Sequence, residues 1–311
     1  MADVVVTEFM DEAAVARLAG RYDTLYAADL VDRPGDLAAA LRDCRALVVR
    51  NRTQVRGALL DGAPRLAVVG RLGVGLDNID LDACKARGVA VCPATGANDV
   101  SVAEYVVATA LVLLRGAYHA TADVVAGRWP RNALIGREAS GRRLGLVGFG
   151  AIARETARRA APLGMALAAH DPFVPADDPA WTGLGVERMD LAALLAASDV
   201  VSLHVPLTPQ TRDVIGAAAI AGMKPGAVLI NAARGGTVDH AALAAALRDG
   251  RLGGAALDVF EQEPLTQEAA AVFAGCPNLI LTPHIAGVTE ESNVRVSHVT
   301  VDNVIRVLEG G

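Results

Sequence analysis

A chain of 311 residues with 52% hydrophobic and only 4% aromatic residues can bury one large core or two medium ones, built mainly from Ala, Val and Leu; two domains are the better expectation. The net charge of −6 excludes a general basic field for nucleic acid, so any anion site must come from a few local arginines. The only lysines, Lys85 and Lys224, lie outside any phosphate-loop motif, which argues against Walker-type nucleotide hydrolysis and against lysine Schiff-base chemistry.

The four cysteines, Cys44, Cys84, Cys92 and Cys276, lack the close spacing of a metal centre or a disulfide framework, and a reducing cytoplasm suits them best. The N-terminus has no basic signal region. The longest apolar stretch, Val100 to Leu114, is interrupted by Glu104 and is too short for a bilayer, so neither secretion nor membrane insertion is expected.

In chain order, the first hundred residues contain four strand candidates: Val4 to Val6, Ala46 to Val49, Leu66 to Val69 and Val89 to Val91. They suggest a smaller, flavodoxin-like parallel-sheet domain that ends at Pro93. A long apolar helix from about Val100 to Arg115 then leads into a larger domain. Six short apolar runs follow, at Leu144 to Gly148, Met165 to His170, Val200 to Leu203, Ala227 to Asn231, Gly254 to Val259 and Leu279 to Thr282. Helical segments at Ala151 to Leu163, Leu191 to Ala197, Ala217 to Met223 and Asp239 to Asp249 separate them, giving the pattern of a six-stranded Rossmann sheet. The last helix, Glu290 to Leu308, is expected to return to the first domain. The predicted organisation is α/β with two domains: a discontinuous substrate-binding domain, 1–99 plus 285–311, and a dinucleotide-binding domain, 100–284.

Gly148-Phe149-Gly150-Ala151-Ile152-Ala153 follows an apolar run and opens a helix. A tight turn needs Gly148, a pyrophosphate approaching the backbone needs Gly150, and Ala153 is small enough for helix–strand contact. Asp171 ends the next strand, where a carboxylate accepts from a ribose 2′-hydroxyl. No arginine adjoins it to neutralise a 2′-phosphate, so NAD is expected rather than NADP. A second glycine-rich loop, Gly70 to Asn78, has no acidic partner on the next strand and reads better as an anion nest whose Val74 and Gly75 amides face a substrate carboxylate.

Asp171, His204, Arg234, Asp258 and His284 all stand at the carboxyl ends of strand candidates, where parallel sheets bind ligands. Oxidation of a 2-hydroxy acid requires a base for the hydroxyl proton, a group that keeps the base competent, and a cation for the carboxylate. His284 suits the first role, Glu263 the second and Arg234 the third. No HExxH or clustered His/Cys pattern suggests a metal.

Gly148 to Ala153, Ser198 to Thr208, Met223 to Gly226, Asn231 to Gly236, Asp258 to Pro264 and Thr282 to Gly287 together resemble the D-isomer-specific 2-hydroxyacid dehydrogenases over essentially the whole chain. The resemblance implies that Arg234, Glu263 and His284 are catalytic. It implies an NAD site lined by Gly148, Gly150, Ala151, Ile152, Asp171, His204, Val205, Pro206, Thr211, Ala232, Ala233, Arg234, Asp258, His284 and Gly287. Homodimers joined through the cofactor domains are usual in the family; the departure here is Ala153 for the commoner glycine.

Arg50-Asn51-Arg52-Thr53 and Arg71 to Asp80 are similar to the phosphoglycerate dehydrogenase branch. This likeness implies substrate contacts from Arg50, Arg52, Val74, Gly75 and Arg234, with Arg131 reaching in from a partner subunit. Considered whole, the chain is similar to the short (S)-sulfolactate dehydrogenases. The implied reaction is interconversion of a D-configured 2-hydroxy acid with a second anion and its 2-oxo acid, best matched by (S)-3-sulfolactate and 3-sulfopyruvate. Alternatives are a 3-phosphoglycerate dehydrogenase, a hydroxypyruvate or glyoxylate reductase, and, in another class, an NAD(H)-sensing corepressor-like scaffold.

Overall fold

The computed structural model describes residues 2–310 and falls into two compact units, one running to Asn98 and resuming at Val288, the other spanning Asp99–Gly287. In the first unit, β1 (Val4–Val6), β2 (Thr24–Tyr26), β3 (Ala46–Val49), β4 (Val68–Arg71) and β5 (Ala90–Pro93) form a parallel sheet in the order β2-β1-β3-β4-β5. Residues of β1 and β3 are buried on both faces, as their unbroken aliphatic runs require. Val4, Val6, Ala46 and Val48 pack on one side with Val301 and Val304 of the helix Glu290–Leu308. Val5, Leu47 and Val49 pack on the other with Leu37 and Leu41 of the helix Pro34–Leu41. Gly70 lets that final helix press on β4, because a Cβ there would lie 2.7 Å from the Val304 side chain. A reciprocal capping box between Thr289 and Ser292 starts the same helix.

The second unit holds β6 (Arg143–Val147), β7 (Ala166–His170), β8 (Val186–Arg188), β9 (Val200–Leu203), β10 (Ala227–Asn231), β11 (Leu252–Leu257) and β12 (Leu279–Leu281). All pairs are parallel, in the order β12-β11-β10-β9-β6-β7-β8. The six-stranded expectation is therefore corrected to seven: β8 was not expected, nor was β2 in the first unit. Both are three-residue edge strands in which the apolar signal is weak; in β8 only Val186 is buried. The helix Asp99–Arg115 covers β10 and β11 and lies against the helix Ala151–Ala160, whose Ala153, Ala157 and Ala160 are fully buried. Alanine at those positions allows the close approach. Pro162 converts the last turn of the expected Ala151 to Leu163 helix into a 3-10 turn, Ala161–Leu163. Among the described residues no single helix is long and apolar enough to cross a membrane.

Candidate active site

Reversal of strand order between β9 and β6 opens the switch point at which doubly wound sheets take ligands. Gly148, immediately after β6, has φ +93°, and a Cβ on it would stand 2.7 Å from the His204 carbonyl oxygen after β9. Glycine is doubly required there, by backbone conformation and by close approach. Gly150 differs. Its φ is −75° and a Cβ would meet nothing within 4 Å, so neither strain nor protein packing demands glycine. The open space lies at the N-terminus of the helix Ala151–Ala160, which has no side-chain cap and whose first amides and dipole favour an anion. These residues fit a dinucleotide pyrophosphate.

Asp171, beyond β7, accepts from the Phe149 amide at 2.8 Å and from the Phe173 amide at 2.9 Å, which ties the second strand end to the glycine turn. Its carboxylate oxygens retain lone pairs for hydroxyl donors. Phe149 stacks on Trp181 at a centroid distance of 4.3 Å, and the Arg154 guanidinium lies 5.1 Å from the same ring centroid. Both contacts hold the loop.

Beyond β9, burial pushes His204 down to about 4, and its Nε2 has no hydrogen-bond partner among the described residues. His204 is consequently a neutral ring near pH 7. Val205 and Pro206 follow it, and Thr211 closes the turn by donating to the Pro206 carbonyl at 2.6 Å while accepting from the Thr208 amide at 2.7 Å.

The chemistry-bearing trio comes from the ends of β10, β11 and β12. His284 Nδ1 lies 2.6 Å from Glu263 Oε2, and the other Glu263 oxygen accepts from the Phe260 amide at 2.9 Å. Burial alone would raise the Glu263 carboxyl. Hydrogen bonds from His284 and the Phe260 amide, with the nearby charges of His284 and Arg234, outweigh it and hold Glu263 below the usual carboxylate range. With Glu263 ionised, Nδ1 carries the hydrogen, and in the neutral form of the ring, which is 44% exposed, Nε2 is the acceptor.

Arg234 reaches this pair through two devices. Asn231, fully buried at the end of β10, donates to the Arg234 carbonyl and to Thr237 Oγ1, each at 3.0 Å, and accepts from the Ala233 amide at 3.1 Å. Gly235 then lets the loop run against the Phe260 carbonyl, where any side chain would collide. The loop bearing Arg234 is thereby pressed against the one bearing Glu263. Asn231 and Thr237 were not among the expected site residues; the legible signal was a polar side chain closing an otherwise apolar strand.

In the first unit, the Arg50 to Thr53 loop wraps a buried carboxylate that sequence reasoning also missed. Glu8 accepts from the amides of Arg50 at 2.9 Å, Arg52 at 3.1 Å and Thr53 at 3.0 Å, and Asn78 donates to the Thr53 carbonyl at 2.7 Å. The two arginines then part company. Arg52 makes a two-pronged ion pair with Asp32 in an exposed position, whereas Arg50 donates to the neutral Asn293 Oδ1 at 2.6 Å and has no ion pair among the described residues. Burial lowers the Arg50 guanidinium, with the Glu8 charge opposing. The Val74 and Gly75 amides take no hydrogen-bond partner among the described residues, which leaves two donors side by side. Arg131 stands exposed on the 3-10 turn Arg131–Leu134 without an ion pair among the described residues.

A histidine with its outer nitrogen open, a carboxylate behind it and a guanidinium nearby, on the same sheet edge as a dinucleotide turn, suits proton transfer coupled to hydride transfer. These features define the class as a nicotinamide-dependent oxidoreductase. The model of the D-isomer specific 2-hydroxyacid dehydrogenase NAD binding domain matches residues 107–286, and the chain belongs to that family of NAD-dependent enzymes. It is 60% identical over 99% of both chains to the (S)-sulfolactate dehydrogenase of Chromohalobacter salexigens. It is 36% identical to the D-3-phosphoglycerate dehydrogenase of Methanocaldococcus jannaschii, covering all of this chain and 58% of that one. Among solved structures, D-lactate dehydrogenase from Aquifex aeolicus complexed with NAD and lactic acid matches with a TM-score of 0.86 and 30% identity, over 99% of this chain and 96% of the other.

Proposed function

We propose that the chain interconverts (S)-3-sulfolactate and 3-sulfopyruvate with NAD, using Arg234, Glu263 and His284. The observation that carries the catalytic reading is the 2.6 Å contact of His284 Nδ1 with Glu263 Oε2. In the oxidative direction His284 Nε2 takes the proton of the 2-hydroxyl, and Glu263 stabilises the imidazolium that forms. Arg234 holds the carboxylate and opposes negative charge on the C2 oxygen as it becomes a carbonyl. Bound NAD supplies the hydride acceptor, so that hydroxy acid and NAD⁺ give oxo acid, NADH and one proton. In reduction the same imidazole returns the proton.

The cofactor is assigned to the turn from Gly148 to Ile152, to Asp171, and to the strand-end residues His204 to Pro206, Thr211, Ala232 to Arg234, Asp258 and His284 to Gly287. The larger unit is read as a Rossmann domain and the smaller as a flavodoxin-like substrate domain. For the acid, the Val74 and Gly75 amides are assigned to the carboxylate and Arg50 to the sulfonate. Arg50 is preferred over Arg52 because its guanidinium makes no ion pair among the described residues, while Asp32 already engages that of Arg52.

A homodimer is proposed as the working form. Tyr118, Val125, Trp129 and Ile135, 66 to 83% exposed within one stretch of the larger unit, supply apolar surface for it, and Arg131 lies in the same stretch. The free cysteines accord with a cytoplasmic setting.

Initial rates with sulfolactate, 3-phosphoglycerate, glycerate and lactate, followed by NADH absorbance, test the substrate reading. Preference for sulfolactate is expected; equal rates on all four would remove the distal-anion assignment.

A further inference from the structure

His284 sits at φ +54°, in the left-handed region that a side chain with a Cβ rarely adopts, so its surroundings must impose the turn that presents the imidazole to Glu263. Asp258, 1% exposed at the end of β11, does much of this. Its carbonyl accepts from the His284 amide at 2.8 Å. Its carboxylate accepts from the Ile285 amide at 2.8 Å, the Ala286 amide at 2.8 Å and the Thr282 hydroxyl at 2.6 Å. One buried residue therefore grips the chain on both sides of His284.

The direction of the remaining hydrogen bond follows from proton counting. A threonine hydroxyl has one hydrogen, and that of Thr282 goes to Asp258, which as a carboxylate can only accept. The 2.7 Å contact between Tyr105 Oη and Thr282 Oγ1 must then be donated by Tyr105. Burial, against the Thr282 hydrogen bond and with a contribution from the Asp258 charge, raises the Tyr105 phenol, which favours the protonated, donating form. The Tyr105 ring packs against the larger unit's core, a task phenylalanine would perform equally; the hydroxyl has no partner but Thr282 among the described residues.

We propose that Tyr105 and Thr282 are positioning residues for the reaction, a donor chain from Tyr105 to Thr282 to Asp258 that fixes the Asp258 carboxylate and, through it, the turn carrying His284. This rests on His284 being the proton-transfer group. Neither residue touches the reacting atoms, and the long helix Asp99–Arg115 thereby reaches the site through a single hydroxyl.

The test uses the full-length holoenzyme and the variants Tyr105→Phe, Thr282→Val, Thr282→Ser, the double variant Tyr105→Phe/Thr282→Val, and His284→Ala as a control. We expect kcat to fall roughly 3- to 10-fold in Tyr105→Phe and about 10- to 100-fold in Thr282→Val, with KM for the acid and NADH affinity within about twofold of the parent. Thr282→Ser keeps the donor and should restore kcat to within about threefold of the parent. Because Tyr105 acts only through Thr282, the double variant should match Thr282→Val rather than the product of the two losses. Unchanged kcat, multiplicative losses, or equal losses in kcat, NADH affinity and melting temperature would overturn the proposal. If His284→Ala retains turnover, the reading of His284 itself fails; if it is inactive while the Tyr105 and Thr282 variants are unaffected, only the donor chain fails.

Discussion

Glu263 illustrates how a single carboxylate serves both stability and chemistry. It is held below its ordinary value of 4.5, so its pairing with His284 contributes fully above that value and is lost as pH falls through the lower, folded one. The stability difference between the parent and Glu263→Gln, from denaturant melts, should be flat above about pH 5 and shrink below about pH 4. In activity the same variant keeps a hydrogen-bonding side chain but not the charge that stabilises an imidazolium, and kcat should fall about 10- to 100-fold. His204 titrates with the opposite consequence for charge. Its folded value is about 4 against an ordinary 6.5, so the unfolded chain binds its proton first and the fold loses stability as pH drops from about 6.5 to about 4. His204→Gln should flatten that part of the stability curve, whose slope for one proton approaches about 1.4 kcal/mol per pH unit. Among the arginines, Arg50→Ala should weaken a sulfonate-bearing acid by about 1.5 to 3 kcal/mol in kcat/KM while changing lactate little. Arg52→Ala should cost less, since Asp32 already shares that charge.

At the scale of elements, the glycine turn after β6 separates two requirements that a motif treats alike. Gly148→Ala places a Cβ at φ +93° against the His204 carbonyl and should lower the melting temperature. Gly150→Ala meets no protein atom within 4 Å and should leave the melting temperature unchanged, while weakening NADH binding at least about tenfold in a fluorescence titration. Equal effects on stability and binding in both variants would show that the open space at Gly150 is not a ligand's. The loops after β10 and β11 depend on a comparable close approach at Gly235. Arg234 and Glu263 are 29 positions apart in sequence, yet their loops meet because glycine leaves room for the Phe260 carbonyl.

For the whole molecule, the proposed dimer gives a direct measurement. Trp129→Asp together with Ile135→Asp should shift sedimentation from dimer to monomer, because two exposed apolar side chains of the proposed interface would be replaced by charges. The sequence by itself determined the interior strands of both sheets, since strands buried on both faces, such as Val4–Val6 and Ala227–Asn231, must be continuous aliphatic runs. It also determined which strand ends carry Asp171, Arg234, Asp258 and His284, because a polar residue that closes an apolar run is visible without coordinates. Only the tertiary structure decided the edge strands Thr24–Tyr26 and Val186–Arg188, which owe their form to pairing with one neighbour rather than to their own composition. It likewise decided the supports of the site: Glu8 under the arginine loop, Asn231 under Arg234, and Tyr105 behind Thr282. Hydrogen bonds between residues as far apart as Tyr105 and Thr282 follow from how helices and loops pack, and local pattern carries no trace of that partner choice.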